Sequence, residues 1–234
     1  MKKVLTLILL FIVVIGLTAC KKEKKDNYGL EFKNEYEALN GELNKRGTEY
    51  RKISIDEDNP YIKVTPEKIV EMINNKETFY LYVGDAMCPW CRSVLEKSIE
   101  VAKKYDIDKI YYIEIWDDEG NEILRDRYEL QNGEIVKVSD GIDAYNTLVE
   151  TFDSVLSDYT LKDEAGNQIE VGEKRIYAPN YFYVKNGEVK KMIEGISEKQ
   201  TDPMEDLTDE ILDDEEKQFT EIFKTNTVCE VGGC

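Results

Sequence analysis

The chain has 234 residues and a net charge of -18, from 49 acidic against 31 basic side chains; so large an anionic excess repels nucleic-acid phosphates, and no nucleic-acid partner is expected. It contains no histidine, which excludes Ser-His-Asp and Cys-His nucleophilic catalysis, histidine-ligated zinc and imidazole acid-base chemistry. Any reaction must run on cysteines, carboxylates or tyrosines. With 41% hydrophobic residues, the length suits one embellished domain or two small ones and is ample for a core.

Lys2 and Lys3 precede the apolar residues 4–16, and Leu17-Thr18-Ala19-Cys20 supplies small residues for cleavage, so residues 1–19 read as a secretory signal. The apolar stretch is shorter than the roughly 20 residues of a spanning helix. Leu17-Thr18-Ala19-Cys20 also resembles a bacterial lipobox, which implies that Cys20 becomes the mature N-terminus and carries a diacylglycerol thioether. Two acyl chains anchor stably where one is marginal. The expectation is a protein held at the cell membrane and facing the extracytoplasmic side. Residues 20–27 then form a solvated tether whose lysines lie against anionic headgroups.

Residues 28–64 read as an N-terminal extension. Tyr28, Leu30, Phe32, Tyr36 and Leu39 among charges predict a short helix ending near Gly41. Ile53 and Ile55 on one face predict a strand over 50–55, before a turn at 56–60. Thr65-Pro66-Glu67 combines an N-cap, a first-turn proline and an early acid, with Ile69, Met72 and Ile73 as the buried stripe of the helix it starts. Residues 78–83 form a β-rich apolar run, and residues 92–105 carry Val94, Leu95, Ile99, Val101 and Ala102 at helical spacing. Between them stands Cys88-Pro89-Trp90-Cys91, at a strand-to-helix junction. There the unpaired N–H groups and positive end of the helix favour a Cys88 thiolate, and two thiols two residues apart can exchange two electrons with a disulfide.

Residues 109–116 predict a buried strand. Beyond it, residues 117–174 contain their own elements: Tyr145, Leu148, Val149, Phe152, Val155, Leu156 and Tyr159 trace one amphipathic helix, and residues 159–161 pair with 168–171 across Ala165-Gly166-Asn167. Tyr177-Ala178-Pro179-Asn180 leads into a strand, Asn186-Gly187 makes a two-residue hairpin turn and residues 188–193 return. Thr208 caps a last helix with Ile211, Leu212, Phe219, Ile222 and Phe223 inward.

Strand, CxxC, helix, strand, then Pro179 before the Lys185-Asn186-Gly187-Glu188-Val189 hairpin, Gly195 and a final helix: this order resembles the thioredoxin superfamily. The resemblance implies an α/β thioredoxin-like fold, a central mixed sheet flanked by helices. It covers 65–228, with a helical and hairpin insertion at about 117–174 between the central strand and the cis-proline strand. It further implies that Cys88 and Cys91 are the catalytic pair, that the Ala178–Pro179 bond is cis and faces them, and that Trp90, Ala178 and Pro179 contact substrate. Thioredoxins proper place Gly-Pro between the cysteines and an acid six residues before the first. Here those positions hold Pro89-Trp90 and Tyr82, so deprotonation of Cys91 falls to Asp85, to a strand carboxylate such as Glu114, or to water, and the direction of electron flow stays open. The signal, the acidic body and the insertion look most like extracytoplasmic thioredoxin-like lipoproteins of Gram-positive bacteria, some described as bacteriocin-transport accessory proteins.

Residues 229–234 form a tail in which Gly232-Gly233 lets Cys229 and Cys234 close a second disulfide in an oxidising compartment. That pair is either a local clip or a shuttle exchanging with Cys88 and Cys91. A zinc site made from all four thiolates is disfavoured by Pro89-Trp90 and by the compartment; no metal and no cofactor are expected. The expected activity is thiol-disulfide exchange with disulfide- or thiol-containing proteins or peptides, reset by an electron donor or acceptor protein. The alternative is a non-catalytic accessory lipoprotein that serves a transporter or peptide partner.

Overall fold

The structure, a computed structural model, describes residues 27–117 and 119–226. The signal segment, Cys20, the tether through residue 26 and the Cys229 and Cys234 pair lie outside the described residues. No helix among the described residues is long and apolar enough to cross a membrane.

The chain opens with α1 (Tyr28–Glu37), which buries Phe32 and Tyr36, and then reaches β1 (Tyr61–Lys63). Helix α2 (Pro66–Asn74) starts as its sequence dictates: the Thr65 hydroxyl accepts the Lys68 N–H at 3.3 Å and Pro66 occupies the first turn. Strand β2 (Phe79–Gly84) is buried throughout, and it runs into α3 (Pro89–Lys104) and β3 (Ile110–Glu114). The insertion follows: a hairpin of β4 (Arg127–Gln131) and β5 (Glu134–Ser139), α4 (Asp143–Phe152), and a second hairpin of β6 (Ser157–Lys162) and β7 (Gln168–Arg175). Strands β8 (Asn180–Lys185) and β9 (Glu188–Ile193) and helix α5 (Asp209–Phe223) complete the fold.

The five-stranded sheet has the order β1-β3-β2-β8-β9. β1, β3 and β2 are parallel, β8 is antiparallel to β2, and β9 is antiparallel to β8. A central strand covered on both faces must be apolar on both, and β2 divides its side chains by the two-residue period. Tyr80 and Tyr82 enter a layer with Tyr36, Leu95, Phe219 and Phe223; Phe79, Leu81 and Val83 enter the opposite layer with Ile69, Leu148, Phe152 and Phe182. This is a mixed sheet flanked by helices, consistent with a thioredoxin-like fold. The insertion stands between β3 and β8.

Two expectations are corrected. Residues 50–55 are not a strand: Ile53 and Ile55 are buried with the expected alternation, but side chains take the place of a neighbouring strand. Asn40 exchanges two hydrogen bonds with the Ile53 backbone (2.8 and 3.1 Å), and Glu37 and Lys33 bind the N–H and carbonyl of Ile55 (2.6 and 2.7 Å). The sheet's edge is β1 instead. The stripe from Tyr145 to Tyr159 is not one helix, because α4 ends at Phe152 and a 3₁₀ turn over Asp153–Val155 leads to an extended Leu156. Leu156 and Tyr159 stay buried, but Tyr159 does so from β6, whose hydrogen bonds to β7 outweigh helical continuation. The predicted pairing across 165–167 is present, with Leu161 opposite Ile169. The β4–β5 hairpin went unread, since its strands are half exposed and charged.

The β8–β9 turn packs on α2. Gly187, at φ +77°, donates its N–H to the Glu77 carbonyl at 3.0 Å, and a Cβ there would collide with the carbonyl oxygen of Ile73. Gly187→Ala should therefore destabilise the fold by at least about 1 kcal/mol, read as a lower urea midpoint at unchanged m-value; a midpoint equal to wild type would show that the turn does not need glycine.

Candidate redox site

Pro89 fits the first turn of α3 because its missing N–H would be unpaired there anyway. Cys88 precedes it in extended conformation (φ -78°, ψ 115°) and acts as the N-cap, with Sγ accepting the Cys91 N–H at 3.3 Å. The two cysteines come within 3.0 Å of each other and are not bridged. Cys91 is wholly buried, while Cys88 keeps 5% of its surface exposed. Of the two cysteines, only Cys88 reaches the surface.

The two thiols differ electrostatically. Hydrogen bonding from the Cys91 thiol, and then from the backbone N–H groups of Cys91 and Trp90, holds Cys88 below the ordinary thiol range, although burial and the Asp85 carboxylate push the other way. Burial, followed by the neighbouring Cys88, pushes Cys91 well up. Of the two thiols, Cys88 is therefore the more readily ionised and Cys91 the less.

Asp85 is the first residue of the segment joining β2 to α3, almost without exposure. Its carboxylate accepts the Met87 N–H at 2.8 Å and the Trp116 N–H at 2.9 Å, and the Cys88 N–H donates to its carbonyl at 3.2 Å. Burial nevertheless pushes its carboxyl up to about 6. Ala178 stands on the other side of the pair, its carbonyl 3.6 Å from Cys88 Sγ. The Ala178–Pro179 peptide is cis and Pro179 is buried. Trp90 is half-buried beside the pair and packs on the tyrosine-rich core layer.

Of the carboxylates considered from sequence for proton removal, Asp85 sits at the junction, whereas Glu114 is engaged with Lys63 at 2.7 Å. Tyr82 is fully buried in the same core layer as Cys91. Its hydroxyl lies 2.9 Å from that of Tyr36.

Sequence reading missed Arg92 and the N-terminal residues that hold it. The Arg92 side chain is fully buried and makes five hydrogen bonds: to the carbonyl of Arg51 (2.9 and 2.7 Å), to those of Tyr36 (2.8 Å) and Ala86 (3.2 Å), and to Asn40 Oδ1 (2.8 Å). One signal was present: Arg92 falls on the same helical stripe as Leu95, Ile99 and Ala102, and a cation in a buried stripe demands oxygen partners. A second pair, Arg125 and Arg175, shares Glu122, and Arg125 Nη1 donates to the Ile176 carbonyl at 3.2 Å. The insertion thereby fixes the segment entering Pro179.

No protein-family model and no curated protein matches the chain. Among solved structures, thioredoxin O2 of Arabidopsis thaliana in its oxidised state aligns with a TM-score of 0.30 and 12% identity, covering 59% of this chain and 85% of that one. The thioredoxin-like arrangement described above stands on this chain's own strand order and on the position of its cysteine pair.

The raised carboxyl of Asp85 fixes a pH dependence. Because its folded value lies above the ordinary 3.8, folding favours the neutral form; that contribution is complete below about pH 4 and is lost as pH rises through about 6. The stability of wild type relative to Asp85→Asn should fall between pH 4 and 7, by on the order of 3 kcal/mol. Urea titrations at a series of pH values measure it. A pH-independent difference would place Asp85 at an ordinary carboxylate value.

Proposed function

We propose that the chain is a thiol-disulfide oxidoreductase acting on protein or peptide clients, held at the extracytoplasmic face of the cell membrane through a lipid on Cys20. The observation that carries the redox reading is the asymmetry of the pair: an N-capping, slightly exposed Cys88 favouring thiolate, and a buried, protonated Cys91 within 3.0 Å. The anchoring rests on the sequence of residues 1–20 alone.

In the reducing direction the Cys88 thiolate attacks one sulfur of a client disulfide. The client S–S bond breaks, a Cys88–client disulfide forms, and the second client sulfur leaves with the electron pair and takes a proton. Cys91 then attacks Cys88 Sγ, the mixed disulfide breaks and the first client sulfur leaves as a thiol. Two electrons have moved to the client, and the enzyme holds a Cys88–Cys91 disulfide. Oxidation of a client dithiol is the same sequence reversed. A donor or acceptor protein resets the pair for the next cycle. Trp90 and Ala178 border Cys88 and provide the surface on which an extended client segment lies, with Pro179 buried next to Ala178.

The test is kinetic trapping with a synthetic disulfide peptide. Cys91→Ser should accumulate a mixed disulfide on Cys88 that non-reducing mass spectrometry detects, wild type should pass through it to the internal disulfide, and Cys88→Ser should form none. Equal adducts on both single variants, or none on Cys91→Ser, would remove the assignment.

A further inference from the structure

We propose that Arg92 is a positioning residue for the cysteine pair: it clamps the Ala86 and Cys88 carbonyls, one on each side of the Met87–Cys88 peptide, and so sets Cys88 against Cys91 for the step that closes their disulfide. This assignment rests on the exchange chemistry proposed above.

The clamp has two jaws on one residue. Arg92 is the fourth residue of α3, and its backbone N–H makes the first bond of the helix ladder, to the Cys88 carbonyl at 3.1 Å. Its side chain turns back past the helix start, where Nη1 donates to the Ala86 carbonyl at 3.2 Å. The chain is therefore held both before and after Cys88. Asp85 fixes what lies between, taking the Met87 N–H on its carboxylate at 2.8 Å and the Cys88 N–H on its carbonyl at 3.2 Å. Held in this way, Cys88 Sγ accepts the Cys91 N–H at 3.3 Å, and the two cysteines come within 3.0 Å.

A clamp is only as rigid as its mounting. A guanidinium has five N–H donors in a planar fork, and here all five are used. Nε and Nη2 donate to the Arg51 carbonyl (2.9 and 2.7 Å), Nη2 also to Asn40 Oδ1 (2.8 Å), and Nη1 also to the Tyr36 carbonyl (2.8 Å). The Tyr50 ring covers the fork, its centroid 5.6 Å from Arg92 Cζ. With no exposed surface, the fork cannot rotate without leaving buried donors unpaired. A lysine ammonium, a point charge on a flexible stem, cannot reproduce that arrangement. In the closing step Cys91 Sγ bonds Cys88 Sγ, the Cys88–client bond breaks, and the client sulfur leaves with the electron pair and takes the Cys91 proton. Such a step is fast only while the reacting atoms are held near contact, and a misplacement of about 1 Å costs as much as ~100-fold.

The reduced protein is mixed with a synthetic disulfide peptide, quenched with acid at intervals and mapped by mass spectrometry, so that formation and decay of the adduct on Cys88 are read separately. Arg92→Lys should slow the decay to the Cys88–Cys91 disulfide about tenfold or more. It should also move the pH profile of adduct formation toward alkaline, because the Cys91 N–H no longer lies against Cys88 Sγ. Asn40→Ala leaves Arg92 in place and loosens its mounting from outside the junction; it should slow the decay about twofold or more. Urea titrations run alongside show which variants are folded. A role confined to stability would lower the urea midpoint and leave the decay as in wild type. That result in folded Arg92→Lys, or in Asn40→Ala where Arg92→Lys does not fold, would overturn the assignment and leave the redox reading intact. If wild type forms no Cys88 adduct, or forms one that never passes to the internal disulfide, it is the redox reading that fails.

Discussion

Arg92 places a guanidinium with no exposed surface one residue beyond Cys91. Removing such a cation from water costs several kcal/mol unless oriented oxygens replace its hydration, and here the carbonyls of Tyr36, Ala86 and Arg51 and the amide of Asn40 do so. Each acceptor is neutral, so the positive charge stays in place beneath the helix start. The acceptors also come from three parts of the chain: α1 and the turn after it, the extended segment before β1, and the junction holding Cys88. Without those oxygens Arg92 would be an unsatisfied buried charge, and without Arg92 the three segments would lose their common partner. Residues that read as an extension in the sequence are thus fastened to the cysteine pair.

The same fastening brings Tyr36 to Tyr82 and completes a layer of aromatic rings under the site. Phe32 stacks on Tyr61 at 4.3 Å, Tyr61 meets Tyr82 edge-on at 5.4 Å, and Tyr181 meets Phe219 edge-on at 4.9 Å. Such rings bring large apolar area but oblige each hydroxyl to find a partner. Tyr61 and Tyr181 share Ser98 Oγ at 2.7 and 3.3 Å, and Tyr112 donates to Glu35 at 2.8 Å. Interlocked rings with satisfied hydroxyls cannot rearrange one at a time. Cys91 is held within that packing, and the junction acid, Asp85, is buried beside it.

What could be read in the sequence was local. Thr65 and Thr208 cap helices because the cap bonds lie within three residues, and Asn186-Gly187 turns a hairpin because both residues adopt positive φ. The junction around Cys88 was legible for the same reason, since a β-rich run, a proline and a helical stripe follow one another directly. Residues 50–55 show the limit: period-two burial is the same whether a strand or the side chains of Asn40, Glu37 and Lys33 satisfy the backbone. The stripe through Tyr159 fails likewise, because apolar spacing does not say where α4 yields to the β6–β7 ladder. The Arg92 acceptors were out of reach altogether, as their pairing is a product of tertiary packing.

The contacts around Cys88 form a closed circuit, and this decides how the site behaves as a unit. Cys88 N–H binds the Asp85 carbonyl, the Asp85 carboxylate binds Trp116 N–H, and the Arg125 guanidinium lies over the Trp116 ring at 5.7 Å. Arg125 then donates to the Ile176 carbonyl, and two residues later the Ala178 carbonyl returns to Cys88 Sγ. The two guanidiniums sharing Glu122 leave an excess positive charge, which the faces of Trp116 and, at 4.0 Å, Tyr159 offset. In an open chain of contacts, loss of one link is absorbed locally. In a closed one, displacing the insertion shifts the carbonyl beside Cys88, and displacing Asp85 shifts both the helix start and the insertion. The insertion is therefore a structural member of the cysteine site, set opposite the N-terminal segment that holds Arg92, and the cysteine pair is positioned from both sides by parts of the chain outside the sheet core.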